Sequence, residues 1–279
     1  MIFATLRLLM IFIFRFLGKV TFFCSKKRRP IAQKNIDLCF KIKNNFDAKR
    51  NEKISQKSFI FLGHALADFL LLRFYNNKNI DKYISVKNIN YLHEAMSLNK
   101  GVIITTAHFG SWELAAHYLA LKNYQSLVLY NPIKKYGWLE NFIKKNRELS
   151  GNTLISKHNA LLPVYRQLIN KKIVTFIIDQ HCHPNDGIKV PLFGHNVWTH
   201  TAFIKLSLKT GAPILSGFTF IKDLFKYELE IFKPLYPQDY KKFEDPEHSM
   251  ACASNSSLEK AILKDAGSWM WQHRRFKNL

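Results

Sequence analysis

A chain of 279 residues, 47% of them hydrophobic, is long enough for one large domain or two small ones and too apolar to be disordered. Its mean hydropathy of −0.14 excludes a polytopic membrane protein; four cysteines without a Cys-x-x-Cys pair exclude a disulfide scaffold and point to a reducing compartment. With 42 Lys and Arg against 20 Asp and Glu, the net charge of +22 draws the chain to polyanions: nucleic acid, an anionic membrane surface or a phosphorylated substrate.

Residues 1–23 are apolar, but Arg7, Arg15 and Lys19 interrupt them. On a helix Arg15 lies roughly 80° and Lys19 roughly 120° round from Arg7, so the three cations share one stripe. That pattern suits a helix lying in a bilayer interface with its cations toward the headgroups. A short tilted span and an apolar helix packed on the domain compete with it. Lys26-Lys27-Arg28-Arg29 comes next, and residues 1–36 hold eight basic and no acidic side chains. Such a run beside an apolar helix favours an anionic cytoplasmic leaflet. No small-x-small cleavage site is present after it, so the helix is read as a retained anchor, with residues 1–29 as anchor and polybasic segment.

The rest, 30–279, reads as one α/β domain with a helical lead-in to about residue 100. Residues 47–76 carry Phe59, Leu62, Leu66, Phe69 and Leu70 at helical spacing. Val86–Asn99 is a shorter helix. Apolar runs of strand length come after it at Val102–Thr106, Ser126–Tyr130, Ile173–Ile178 and Pro213–Phe220, with Tyr227–Phe232 alternating as an edge strand. Helical stretches at Ser111–Lys122, Tyr136–Ser150, Ala160–Lys171 and Thr199–Thr210 separate most of them. Residues 181–198 and 237–256 read as polar loops. Alternating helices and fully apolar strands predict a mostly parallel central sheet flanked by helices.

The chemistry concentrates after the first buried strand. His108 falls in the turn between Thr106 and a helix starting at Ser111, at the carboxyl end of a strand, where α/β sheets place their sites. Glu113, in the first helical turn, is expected to reach back to His108, hold one tautomer and stabilise the imidazolium form. The pair would act as general base on a hydroxyl. Gly110 keeps the turn free of side chain, so that backbone N–H groups at the helix start are expected to face a developing oxyanion. Asp179 ends another strand at the same edge, and Arg147 on the 136–150 helix is a candidate phosphate ligand. His181, Cys182 and His183 are adjacent rather than paired, so no metal site is expected. Trp269, Trp271 and Phe276 among Arg274, Arg275 and Lys277 fit core packing better than stacking on nucleic acid. Gly-x-Ser-x-Gly and Gly-x-x-x-x-Gly-Lys are absent, which removes serine esterase and P-loop readings.

His108-Phe-Gly-Ser-Trp-Glu113 resembles the His-x4-Glu motif of the late acyltransferases of lipid A biosynthesis in Gram-negative bacteria, within the glycerolipid acyltransferase superfamily. Ile178-Asp179-Gln180, Val190-Pro-Leu-Phe-Gly194 with Thr199, and the ending Trp271-Gln-His-Arg-Arg-Phe-Lys277 are similar to further motifs of that family, in its order. Asn35-Ile-Asp-Leu-Cys-Phe40 resembles its entry segment. One departure is Asn131 in Tyr130-Asn131-Pro132, where the family usually has Arg; Lys134, Lys135 or Arg147 would then grip an anionic headgroup. Leu192 and Val197 replace a usual Phe and Ala, which would reshape an acyl pocket.

The resemblance implies transfer of a fatty acyl chain from acyl carrier protein, as a thioester, to a hydroxyl of an acyl chain on the lipid A precursor. His108 and Glu113 would be catalytic; Gly110, Arg147, Asp179, Gln180, Lys134 and Lys135 would bind substrate. It calls for no metal, cofactor or covalent enzyme intermediate. The expected partners are acyl carrier protein, an anionic glycolipid and the cytoplasmic face of the inner membrane, with no nucleic acid. The rivals are an acyltransferase of lysophosphatidate type and a non-catalytic basic protein binding membrane or nucleic acid.

Overall fold

Strands that are apolar along their whole length must be covered on both faces, and here a central sheet lies between two layers of helices. The computed structural model describes residues 2–41, 46–133, 135–158, 160–223 and 225–277. Three helices come first, α1 (Ile2–Cys24), α2 (Arg28–Lys41) and α3 (Ala48–Leu70). Then β1 (Ile84–Lys87), α4 (Ile89–Ser97), β2 (Val102–Thr106), α5 (Trp112–Leu121), β3 (Ser126–Tyr130), α6 (Gly137–Glu148), β4 (Thr153–Ser156), α7 (Leu161–Ile169) and β5 (Ile173–Ile177) alternate. The chain continues through β6 (Gly187–Leu192), β7 (His195–His200), α8 (Ala202–Thr210), β8 (Ile214–Ile221), β9 (Tyr227–Ile231), the short α9 (Pro237–Tyr240) and α10 (Pro246–Lys264).

Seven strands form the main sheet in the order β1-β9-β8-β2-β5-β3-β4, parallel throughout except between β8 and β9. Ile104 of β2 is in register with Thr175 of β5 and Leu215 of β8, which places β2 near the middle of the sheet. The α/β class and the four apolar strands are those expected from the sequence.

Three local expectations are corrected. The Tyr227–Ile231 strand is not an edge: β1, a four-residue strand whose last two residues were expected to begin a helix, pairs along it. Its alternation arises because Tyr227, Leu229 and Ile231 enter the core while Glu228 pairs with Lys222, and Glu230 with Lys87 and Lys264. Residues 181–198 are not an open loop but lead into the β6–β7 hairpin. Phe193 and Gly194, both at positive φ, form its two-residue turn. Most of 237–256 is helical. Asp245 caps α10 by accepting from the His248 N–H, with Pro246 in the first turn. The buried side of α10 includes Ser254 and Asn255, and the Asn255 amide donates to the Pro191 carbonyl at 3.0 Å. Those polar side chains hide the helical period.

The cationic stripe of α1 faces the opposite way from the expected one. Arg7 is fully buried against Asp68 of α3, and Arg15 is half-buried beside His64; Lys19 alone of the three is exposed. Polar partners on α3 draw the stripe inward, so the apolar remainder turns outward. Leu9, Phe12, Phe16 and Phe23 are each more than half exposed. Among the described residues no single helix is long and apolar enough to cross a membrane; α1 and α2 reach that length together but meet at 88°.

Helices α1 and α3 approach each other through glycine. A Cβ on Gly63 of α3 would lie 1.9 Å from the Phe14 carbonyl oxygen of α1, and one on Gly18 would lie 2.4 Å from that of Phe59. Gly63→Ala favours an isolated helix by about 1 kcal/mol. In the protein it should instead destabilise by about 1–3 kcal/mol through overpacking. Thermal unfolding of the full chain checks the sign: Gly63→Ala lowers Tm, whereas Leu66→Ala on the exposed side of α3 leaves it nearly unchanged.

Candidate active site

His108 stands in the turn from β2 to α5, at the carboxyl edge of the sheet. Gly110 has φ +56°, and a Cβ there would collide with the Thr219 carbonyl of β8, so this turn presses backbone against backbone. Residues 268–270 run antiparallel beside it. The Gly110 N–H donates to the Ser268 carbonyl at 3.0 Å, and the Met270 N–H to the His108 carbonyl at 3.1 Å. The Gly110 N–H itself is therefore committed to the C-terminal segment, and the oxyanion role expected at this turn concerns the N–H groups at the start of α5.

The partner of His108 is Asp179, just beyond β5. Nδ1 of His108 lies 2.9 Å from Asp179 Oδ1, and the His108 backbone N–H donates to Oδ2 at 3.0 Å. Trp269 Nε1 donates to the same Oδ2 at 2.9 Å. Asp179 is buried; burial raises its carboxyl, but the His108 charge and these hydrogen bonds outweigh that and hold it below the usual carboxylate range. Burial pulls the His108 imidazolium down, and Asp179, helped by Glu113, more than restores it, so its pKa lies above the ordinary 6.5. An ionised Asp179 accepts from Nδ1–H, which leaves Nε2 as the free basic nitrogen. The imidazole and the Trp112 ring meet in a T-shaped contact, with centroids 5.1 Å apart.

Glu113 does not contact His108. Arg147 of α6 holds it in a fork, with Nε 3.0 and 3.1 Å from its two oxygens and Nη2 2.5 Å from Oε1; Trp112 Nε1 also donates to Oε1, at 3.2 Å. A bidentate guanidinium is the stronger partner, and Asp179 already occupies Nδ1. Burial lowers the Arg147 pKa and Glu113 more than offsets this, so Arg147 is fixed as a cation but spends its Nε and Nη2 on Glu113 rather than on a free phosphate site. Asp179 likewise faces His108 and Trp269 instead of an open substrate site. Gln180 is half-buried; its carbonyl accepts from Arg275 at 3.2 Å. Lys135 is exposed, with Nζ 5.3 Å from the centre of the Tyr136 ring; Lys134 lies outside the described residues.

Trp269 is the site residue that sequence reasoning assigned to packing alone. Trp269, Trp271 and Phe276 are all buried, so they offer no stacking platform to a nucleic acid. The buried Arg275 donates to the carbonyls of Gln180 and Trp198 and to Thr199 Oγ1, at 2.7 Å for the last. It thereby docks the chain's end onto the hairpin beside Asp179. Among the described residues no group of three or more His, Cys, Asp or Glu side chains is arranged to hold a metal ion.

An apolar cavity opens next to this edge. It leaves about 40 Å³ of room for water-sized molecules, within a depression of about 570 Å³ that includes open solvent, between the sheet and helices α4 and α5. Trp112 and Thr106 line it on the His108 side; Ala115, Ala116, Leu215 and Ile231 line its walls. A carboxylate–imidazole pair at the carboxyl edge of a parallel sheet, beside an apolar cavity, is the layout of an α/β enzyme suited to a lipid-like substrate.

The model of the bacterial lipid A biosynthesis acyltransferase family matches residues 4–278, and the chain belongs to that family. It is 28% identical over 256 residues to the lipid A biosynthesis palmitoleoyltransferase of Escherichia coli (strain K12), covering 90% of this chain and 79% of the relative. It is 24% identical over 264 residues to the lauroyltransferase of the same strain, covering 94% and 83%. To the lipid A biosynthesis acyltransferase of Haemophilus influenzae it is 25% identical over 262 residues, covering 90% and 78%. The protein is an acyltransferase.

The His108–Asp179 geometry sets a pH dependence. Because the folded-state pKa of His108 is raised, its pair with Asp179 stabilises fully below about 6.5 and loses that contribution as pH rises through the folded value. Basicity runs the other way, so the transfer rate should climb with pH through an apparent pKa above 6.5. Asp179→Asn leaves Nδ1 facing an amide and burial less opposed. The apparent pKa should fall, and kcat should drop by about 10²–10⁴-fold. Rate–pH profiles of the two proteins check both shifts.

Proposed function

We propose that the protein transfers a fatty acyl chain from a thioester on acyl carrier protein to a hydroxyl of an acyl chain on the lipid A precursor, with His108 as general base. The observation that carries this reading is the free Nε2 of an imidazole held from behind by a buried carboxylate, beside an apolar cavity. Nε2 takes the hydroxyl proton as the oxygen attacks the thioester carbonyl. The carbon–sulfur bond then breaks, and the imidazolium returns the proton to the leaving thiolate. Asp179 holds the Nδ1–H tautomer and stabilises the transient cation. The acyl chain lies in the cavity, entering past Trp112. The relatives are named for palmitoleoyl and lauroyl groups, which fits a donor of fatty-acid length.

Charge and surface favour the same substrates. A chain of net charge +22 attracts an acidic carrier protein and an anionic glycolipid. The exposed Lys135, with Lys134 beside it in sequence, stands after β3 at the carboxyl edge, where an anionic headgroup would sit. The outward apolar face of α1 and the Lys26–Arg29 run suit an interfacial helix on the cytoplasmic face of the inner membrane. Membership of the lipid A family favours this acceptor over lysophosphatidate.

The test is transfer by the purified full-length protein from acyl carrier thioester, with a lipid A precursor bearing a free acyl-chain hydroxyl or with lysophosphatidate. The precursor should be acylated, and His108→Ala should lose about 10²–10⁴ of the rate. Acylation of lysophosphatidate instead, or a folded His108→Ala protein at parental rate, would overturn the reading. Ala116→Leu, which fills the cavity away from His108, should shift donor preference to shorter chains in competition assays.

A further inference from the structure

Ser111 is the N-cap residue of α5, where a serine oxygen ordinarily accepts a first-turn N–H. Here it makes no such bond. Its hydroxyl donates instead to Asp68 Oδ2, at 3.1 Å. Asp68 sits on α3 and is wholly buried. Its carboxylate also accepts the Tyr75 hydroxyl at 2.8 Å and the Tyr227 hydroxyl, and faces Arg7 Nη2 at 3.3 Å. Arg7 is buried too: its Nε donates to the Tyr75 hydroxyl at 2.6 Å, and its guanidinium lies over the Tyr83 ring.

His64 completes the group. Burial, with Arg15 and Arg7 adding to it against the pull of Asp68, pushes its pKa down to about 4, so it is neutral. Tyr227 donates to Asp68, so its oxygen takes the N–H of His64 Nε2, 2.6 Å away; Nδ1 faces Arg15 at 3.5 Å. Among the described residues, Arg7 is the full positive charge in direct contact with Asp68.

A buried ion pair is weak grounds for stability, since a well-packed apolar pair often does as well; what it can supply is one specified geometry. This one joins the helix that turns its apolar face outward to a residue three positions after His108. We propose that Asp68 is a positioning residue for the His108 turn and that Arg7, carried by α1, is its counter-charge, so that seating of the N-terminal helix and geometry of the turn are coupled through Asp68 and Ser111. The inference rests on His108 being the base. Asp179 fixes the ring of His108, and Asp68 fixes where the turn that carries it stands. Loss of the Ser111 contact frees the turn without touching substrate, nucleophile or base, so its signature is kinetic.

The experiment compares full-length protein in detergent with Ser111→Ala, Arg7→Met, Asp68→Asn and the Arg7→Met/Asp68→Asn double variant, with His108→Ala as reference. Ser111→Ala should lower kcat by about 10- to 100-fold, as small misplacements do, with KM within about twofold and Tm nearly unchanged. In Arg7→Met the Asp68 carboxyl faces His64, Tyr75, Tyr227 and Ser111, with Arg15 beyond His64, and no guanidinium. The folded variant should lose kcat by a similar factor, with KM within about twofold. Asp68→Asn should do the same, and the double variant should lose far less than the product of the two single losses, because both act through one contact. A pair that only stabilised the fold would change Tm and leave kcat of the folded protein alone. Ser111→Ala at parental kcat, or a folded Arg7→Met at parental kcat, overturns the inference; if Arg7→Met does not fold, Ser111→Ala decides. If His108→Ala abolishes transfer while Ser111→Ala does not lower it, this inference alone fails. If His108→Ala keeps the parental rate, the functional reading fails and takes this one with it.

Discussion

The carboxylate of Asp179 carries its charge where water does not reach, and the functional edge of the protein is organised around compensating it. A buried carboxylate left without partners costs about 3–5 kcal/mol. Here three N–H groups converge on it, two from His108 and one from Trp269. They come from the β2–α5 turn and from the chain's last segment, which are 71 and 90 residues away in sequence from Asp179. The requirement that holds the fold closed at this edge is the same one that orients the imidazole. Basicity and folding are therefore linked: any change that weakens the compensation of Asp179 loosens the C-terminal segment and the His108 turn together.

The turn, the strand before it and the helix after it were legible because periodicity and capping residues are local signals. Val102–Thr106 is apolar throughout, and Ser111 marks the helix start. The partner of His108 was not legible in the same way. Glu113 is five residues off and Asp179 much further, so proximity along the chain favours the wrong carboxylate. Only the pairing of β2 beside β5, with Thr106 opposite Ile177, brings Asp179 to the imidazole. Arg147 settles the matter from the other side by taking Glu113. α10 was not legible as a helix because its buried face carries Ser254 and Asn255, which read as loop composition.

Several motifs that resemble those of the family are joints of the fold. Phe193 and Gly194 make the hairpin turn, and the Phe193 N–H donates to Glu259 of α10. Thr199 receives both Arg275 and Asn255. Asn35 of α2 donates to the carbonyls of Trp271 and His273, at 2.9 and 2.7 Å. The entry segment, the Val-Pro-Leu-Phe-Gly block and the ending thus clasp one another around the segment that presents Trp269 to Asp179. These contacts account for the residue types of that pattern by packing and hydrogen bonding within the chain.

The N-terminal helix shows how a single buried charge can invert an amphipathic reading. Counted by composition, residues 1–29 separate cleanly from the α/β domain. Counted by packing they do not, since Ile11 and Phe22 are buried in the fold and Phe3, Leu6 and Met10 press on the core around β1 and α4. With Arg7 drawn inward, the helix no longer needs water along the stripe that was expected to face it. Its outer side is left as Leu9, Phe12, Phe16 and Phe23, a continuous apolar strip larger than scattered surface residues make. An interfacial helix oriented in this way would put its hydrocarbon face into lipid and Arg7 and Arg15 toward the protein, with Lys19 left outside. α1 and the His108 turn thus share one support, α3, through Gly63 and Asp68. On the proposed reading, an acceptor held in the bilayer would meet a base whose height above the membrane is set by that same helix pair.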